Sequence, residues 1–209
     1  MDNYETEEQQ VEALKKWWSD NYIMVIVLAV VGLGSIVGIQ QWKQSQLLKA
    51  QTASMEYDHI LQVAAKEKDE AITQQVETML TDYSDYPYAT LSAMLAAKKL
   101  MEAGQLAEAE EKYQWVIKNS KAQSLQHISR INLATLMSVQ GKNEAALKLL
   151  DVEQGSFKAS YLEVKGDILV ILNRVDEARA AYDQALQAYA AIGANAQILK
   201  VKRNDLGNS

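Results

Sequence analysis

LEVKGDILVILNRVDEARAAYDQAL, residues 162–186, decides the fold. Its apolar residues recur at helical spacing on both sides of Asn173, a residue type suited to the left-handed turn that closes a helix. Small residues stand at Gly166 and Ala178, where two antiparallel helices need to approach closely, and Tyr182 supplies bulk against a neighbour. Moving outward, the same register recurs twice. Gly104 and Gly141 occupy the place of Asn173. Seven residues before each cap stand Ala97, Ala134 and Gly166; five after stand Ala109, Ala146 and Ala178; nine after stand Tyr113, Leu150 and Tyr182. The caps are 37 and 32 residues apart, a period near 34 with one insertion.

This pattern resembles the tetratricopeptide repeat, a helix pair that buries its apolar face only by stacking on further pairs. The copies depart from the usual pattern. No proline closes a repeat, Arg130 replaces a large apolar residue, and Lys165 replaces a leucine. Three such pairs are expected over residues 88–193. Beyond Gly193, residues 194–209 read as a capping helix and tail. Before the repeats, 43–87 reads as a linking helix pair. Its first helix carries Leu47, Leu48, Ala50, Met55, Tyr57, Ile60, Leu61 and Ala64. A charged break, KEKDE (66–70), precedes a second helix with Ile72, Val76, Met79 and Leu80 on one face. DYSDYPY (82–88) is a turn whose Pro87 suits the first position of the next helix.

Further out lies YIMVIVLAVVGLGSIVGI (22–39), eighteen residues without charge or proline. As a helix it is roughly 27 Å long, close to the hydrocarbon thickness of a bilayer. Trp17, Trp18 and Trp42 flank it as an interfacial belt, and Lys15, Lys16 and Lys43 lie outside them. No small-x-small cleavage site follows, and the run exceeds a signal-peptide core. It has no amphipathic face, as a core helix would. Residues 17–42 are therefore expected to cross a membrane once. Gly34 and Gly38 give a small-xxx-small spacing, the candidate contact with another span. Residues 1–16 read as an acidic, solvated tail. The lysine count around the span is tied, but Lys15 and Lys16 are adjacent while only Lys43 lies close on the far side, which favours a cytoplasmic N-terminus. The expected fold class is all-α: one N-terminal transmembrane helix, then a tetratricopeptide-like α-solenoid with a C-terminal capping helix.

Composition restricts the chemistry. Residues 1–42 carry six acids against Lys15 and Lys16; the rest holds 21 acids and 19 bases, so no basic stripe for nucleic acid exists. There are no cysteines, two histidines and one proline. Disulfides and thiolate chemistry are excluded, and His59 and His127 are too few for a histidine-built metal site. No phosphate loop or hydrolase motif occurs. Both histidines read as packing or surface residues. No catalytic residue, metal or cofactor is assigned, and the chain reads as a binding protein rather than an enzyme.

In tetratricopeptide arrays the first helix of each pair lines a concave groove. The alignment puts Leu91, Met94, Lys98 and Met101 there in the first copy, and Ile128, Ile131, Thr135 and Ser138 in the second. The third supplies Ser160, Glu163, Asp167 and Val170. The candidate partner-binding residues are Leu91, Met94, Lys98, Met101, Ile128, Ile131, Thr135 and Val170. The competing reading is that these apolar side chains pack on neighbouring helices.

The whole chain resembles the YfgM family of inner-membrane ancillary SecYEG translocon subunits. The resemblance rests on the acidic tail, the tryptophan-bordered span, DYPYA (85–89), AKKLMEAG (97–104), Gln114-Trp115, and the closing Lys202, Asp205 and Leu206. It implies a bacterial inner-membrane protein with a cytoplasmic N-terminus and a periplasmic repeat domain. It also implies association with the translocon and with the membrane-anchored folding factor PpiD, contact with translocating polypeptides, and a part in passing them to periplasmic chaperones. The family is further linked to restraint of an envelope-stress response. The alternative is a membrane-anchored scaffold for another envelope complex.

Overall fold

The computed structural model describes residues 7–65 and 69–207. Among these no strand occurs. The helices are α1 (Glu7–Ala64), α2 (Asp69–Asp82), α3 (Pro87–Glu102), α4 (Leu106–Asn119), α5 (Gln123–Val139), α6 (Asn143–Leu149), α7 (Lys158–Ile171), α8 (Val175–Ala191) and α9 (Gln197–Asp205). Residues Met1–Gln51 and Thr52–Ser209 form two compact units.

In the first unit, α1 begins at Glu7, within the segment that composition suggests is a disordered tail. Two effects extend the helix. Glu7 and Glu8 lie in its first turn, where carboxylates suit the positive end of the helix dipole. Lengthening an existing helix also avoids the cost of nucleating one. Residues 1–6 lie outside the described part. The apolar run is long enough to cross a membrane, and its large side chains are exposed. Nothing lies within 4 Å of where a Cβ would stand on Gly34 or Gly38.

The second unit starts in the last turns of α1. Ala53, Ile60 and Ala64 are buried there against Ile72, Val76, Met79 and Leu80 of α2 and Ala89, Ala93 and Ala96 of α3. Tyr57 meets Tyr88 at 5.7 Å between ring centroids. The buried stripe is narrower than the apolar composition suggests: Met55 and Leu61 point to water. Buried and half-buried side chains recur at 53, 57, 60 and 64, one face of a helix, and that face lies against α2 and α3. Most of the charged break, 66–68, lies outside the described residues.

Three helix pairs follow: α3 with α4, α5 with α6, α7 with α8. Each first helix closes as its cap predicts. Gly104, Gly141 and Asn173 have φ of 76, 79 and 58°. At each, the cap N–H donates three residues back and the next N–H donates five back: Gln105 to Leu100 O at 2.8 Å, Lys142 to Met137 O at 2.8 Å, Arg174 to Leu169 O at 2.9 Å. Gly193 closes α8 the same way, with Ala194 donating to Tyr189 O at 3.0 Å. This double bond pattern satisfies carbonyls that would otherwise be orphaned at the helix end.

The small positions sit where the pairs touch. Ala97, Ala109 and Tyr113 share one buried cluster with Leu133 and Leu136; Ala134, Ala146 and Leu150 share the next with Tyr161 and Ile168. In the third pair a Cβ added to Gly166 would lie 2.3 Å from a carbon of the Tyr182 ring. The uneven period has two sources rather than one insertion. α7 spans 14 residues where α5 spans 17, and α6, at seven residues against 14 for α4, takes with its linker two residues fewer than α4 with its own. A 3₁₀ turn, Gly155–Phe157, joins α6 to α7. The cap expected over 194–209 is the shorter α9, and residues 208–209 lie outside the described part.

Candidate partner-binding face

The first helices α3, α5 and α7 are neighbours, and within each the positions picked by the repeat alignment are spaced along one helix face. In α3, Leu91 is half-buried and Met94 packs against the cluster around Ile60 and Val76. Lys98 is exposed, with its ammonium 3.8 Å from Glu102. Met101 is half-buried, and its sulfur accepts from the Tyr113 hydroxyl at 3.6 Å. In α5, Ile128 is half-buried, and Ile131 packs against the cluster of Ala134, Leu150 and Tyr161. Thr135 is exposed and turns its hydroxyl back to Ile131 O at 3.1 Å. Ser138 is buried and donates to Asn143 Oδ1 at 2.7 Å. In α7, Val170 is 38% exposed. Met94, Met101 and Ile131 thus give much of their surface to internal packing. Lys98, Thr135 and Val170 face water.

The third pair behaves differently, and its polar positions are already occupied. Glu163 and Asp167 are four residues apart on α7, so their carboxylates share a face. Lys202 of α9 reaches both. Its Nζ donates to Glu163 Oε1 at 3.2 Å and to both Asp167 oxygens at 2.9 Å. Tyr182 donates its hydroxyl to Asp167 Oδ1 at 2.7 Å, and Tyr189 donates to Glu163 Oε2 at 2.9 Å. Ser160 lies 3.4 Å from the Tyr189 hydroxyl. Burial works against the Lys202 ammonium, but Asp167 and Glu163 outweigh it and hold its pKa above the ordinary lysine value. Burial, followed by the neighbouring carboxylates, pushes the Tyr182 phenol well up. Tyr189 moves the same way, again chiefly through burial.

Sequence reasoning placed Glu163 and Asp167 on this face but did not join them to Lys202. The readable signal was the 163/167 spacing with tyrosines at 182 and 189. What it lacked was the return of the chain through Gly193, which no local pattern encodes.

His127 is a packing residue. Its Nδ1 lies 2.9 Å from the buried Tyr161 hydroxyl, and its ring stacks on Phe157 at 5.1 Å. Among the described residues no group of three or more histidines and carboxylates is placed to hold a metal ion.

The sequence profile of the Tetratricopeptide repeat-like domain matches residues 15–208. The chain belongs to that family. Its relatives extend the likeness to full length. It is 27% identical to the "Ancillary SecYEG translocon subunit" of Aggregatibacter actinomycetemcomitans over 201 residues, covering 96% of this chain and 97% of the relative. The protein of that name from Haemophilus influenzae matches at 27% over the same shares of the two chains. The one from Escherichia coli K12 is 23% identical over 207 residues, 99% of both chains. The resemblance to this group of ancillary subunits is borne out, and so is the all-α, tetratricopeptide-like fold.

Proposed function

We propose that this tetratricopeptide repeat-like protein is a non-catalytic, single-span inner-membrane subunit associated with the SecYEG translocon. The observation that carries the reading is end-to-end similarity to proteins so named, including the apolar helix as well as the repeats. Proteins named as ancillary subunits also support a binding role over an enzymatic one.

The finer reading has the N-terminus in the cytoplasm and the repeat domain in the periplasm. There the first-helix face, residues Leu91, Met94, Lys98, Met101, Ile128, Ile131, Thr135 and Val170, takes partner proteins. The partners are a PpiD-like membrane-anchored folding factor and translocating polypeptides, which the domain helps pass to periplasmic chaperones. Restraint of an envelope-stress response belongs to the same reading. Anchoring raises the local concentration of the face near other membrane partners.

Topology is tested by a reporter fused after Ser209, which the reading expects to be active only in the periplasm; cytoplasmic activity overturns it. The Gly34–Gly38 face is the proposed contact with another span. Because nothing lies near either glycine, replacing both by leucine leaves the chain's own packing intact. Loss of co-purification of a membrane partner is expected, and unchanged co-purification removes the contact.

A further inference from the structure

α9 is held by two buried leucines and by a set of partly exposed charge-assisted bonds. Leu199 on the helix and Leu206 at its C-cap are the buried apolar side chains, at 2% and 9% exposure. Ile198 and Val201 turn outward at 74% and 54%. Against these two anchors stand several charge-assisted bonds. Lys202 grips Glu163 and Asp167, as described. Arg203 donates to both oxygens of Asp183 at 2.8 and 3.2 Å. Arg179 of α8 donates to Leu206 O at 2.7 Å. A cleft of about 350 Å³ remains beside the helix, lined by Glu163, Tyr189, Asn195, Gln197 and Ile198 among others. A nine-residue helix is too short to persist unless docked. Its tether runs through Gly193 at φ 67°, followed by three residues outside any helix.

We propose that α9 is an ionic latch over the α7 end of the first-helix face. Lys202 stands in for a lysine of an incoming polypeptide segment. When α9 undocks, Ser160, Glu163 and Asp167 are uncovered together with the Tyr182 and Tyr189 hydroxyls. They form a cradle with two negative charges and no cation of its own. The segment that suits it carries a lysine, placed as Lys202 is now. The inference rests on the proposed function only in assigning this face to partner binding; the latch itself needs no translocon component to be tested.

Two measurements test it on the full chain in detergent. The first is amide hydrogen exchange of the wild-type protein as NaCl rises from about 0.05 to about 0.5 M, which shortens the screening length more than twofold. Exchange across 198–206 is expected to rise several-fold while α7 and α8 hold. An α9 held by apolar burial would keep or gain protection, and that result overturns the latch. The second uses a fluorescent peptide of residues 194–207 offered in trans. Lys202→Glu places a carboxylate against Glu163 and Asp167 and should release the resident helix. The variant should bind the peptide about tenfold or more tighter than wild type does, a factor set by removing the internal competitor. The same peptide with Lys202→Gln should bind neither protein. Equal binding by both proteins, or by both peptides, contradicts a lysine cradle.

Discussion

At Gly166 the third helix pair has no room for a side chain. A methyl group there would overlap the Tyr182 ring, whose hydroxyl is held by Asp167, so the ring cannot swing away without breaking that bond. Gly166→Ala is expected to destabilise the repeat domain by about 1–3 kcal/mol, the usual cost of overpacking, despite its higher helix propensity. Urea denaturation followed by helical circular dichroism measures it; a stabilised variant would mean the ring is free to move. Asn173 raises a different issue, since its backbone and not its side chain is constrained. At φ 58° an alanine is strained and a glycine is not. Asn173→Ala should cost about 1 kcal/mol while Asn173→Gly stays near neutral. Lys202 gives the pH dependence. Its folded pKa is raised, so its contribution is fully present below the ordinary lysine pKa and is lost as pH climbs through the raised value. Protection of α9 should therefore hold across neutral pH and fall only in strong alkali. Loss of protection between mildly acidic and neutral pH would point to another group.

At the scale of elements, how much could be read in advance depended on whether the deciding forces were local. The caps at Gly104, Gly141 and Asn173 were legible because a left-handed residue is a local requirement. The small residues at 97, 134 and 166 were legible because the repeat displays the same need three times. The packed face of α1 was not. Met55, Leu61 and Ile60 are equally apolar, and only the position of α2 and α3 makes Ile60 the buried one. Ile60→Ala should cost about 2–5 kcal/mol as a buried truncation, whereas Met55→Ala should stay within about 0.5 kcal/mol. Equal costs would show that another face of the helix packs. The length of α6 was likewise hidden. Leu150 fills the aromatic's place in the repeat, yet the helix stops at Leu149 and the chain regains register through a 3₁₀ turn. The Lys202 cradle depends on two stretches 35 and 39 residues apart in sequence, joined only by the return of the chain.

At the scale of the molecule, successive pairs are tied by ion pairs as well as by their cores. Lys112 of α4 meets Glu77 of α2, Lys142 meets Glu110 at 2.9 Å, and Arg174 meets Glu144 at 3.5 Å. Each bridges neighbouring pairs, and each is exposed enough to add little stability alone. Stability therefore rests on the stacked clusters, and the first-helix face keeps side chains that the fold does not use. Met94 and Ile131 are poor probes of that face, because a charge there would also disturb the clusters they complete. Lys98 and Thr135 are better ones, being exposed on the same helices. The central claim is that this face meets the export machinery. Its most direct test places a photo-crosslinking amino acid at Lys98 and at Thr135 in the membrane-anchored full chain, in cells actively exporting protein. Gln184 on α8 serves as the comparison. The account predicts that both first-helix positions capture a translocon component, a membrane-anchored folding factor or an exporting polypeptide, and that Gln184 does not. Capture of none of these from either position, with the protein folded and inserted, would contradict it.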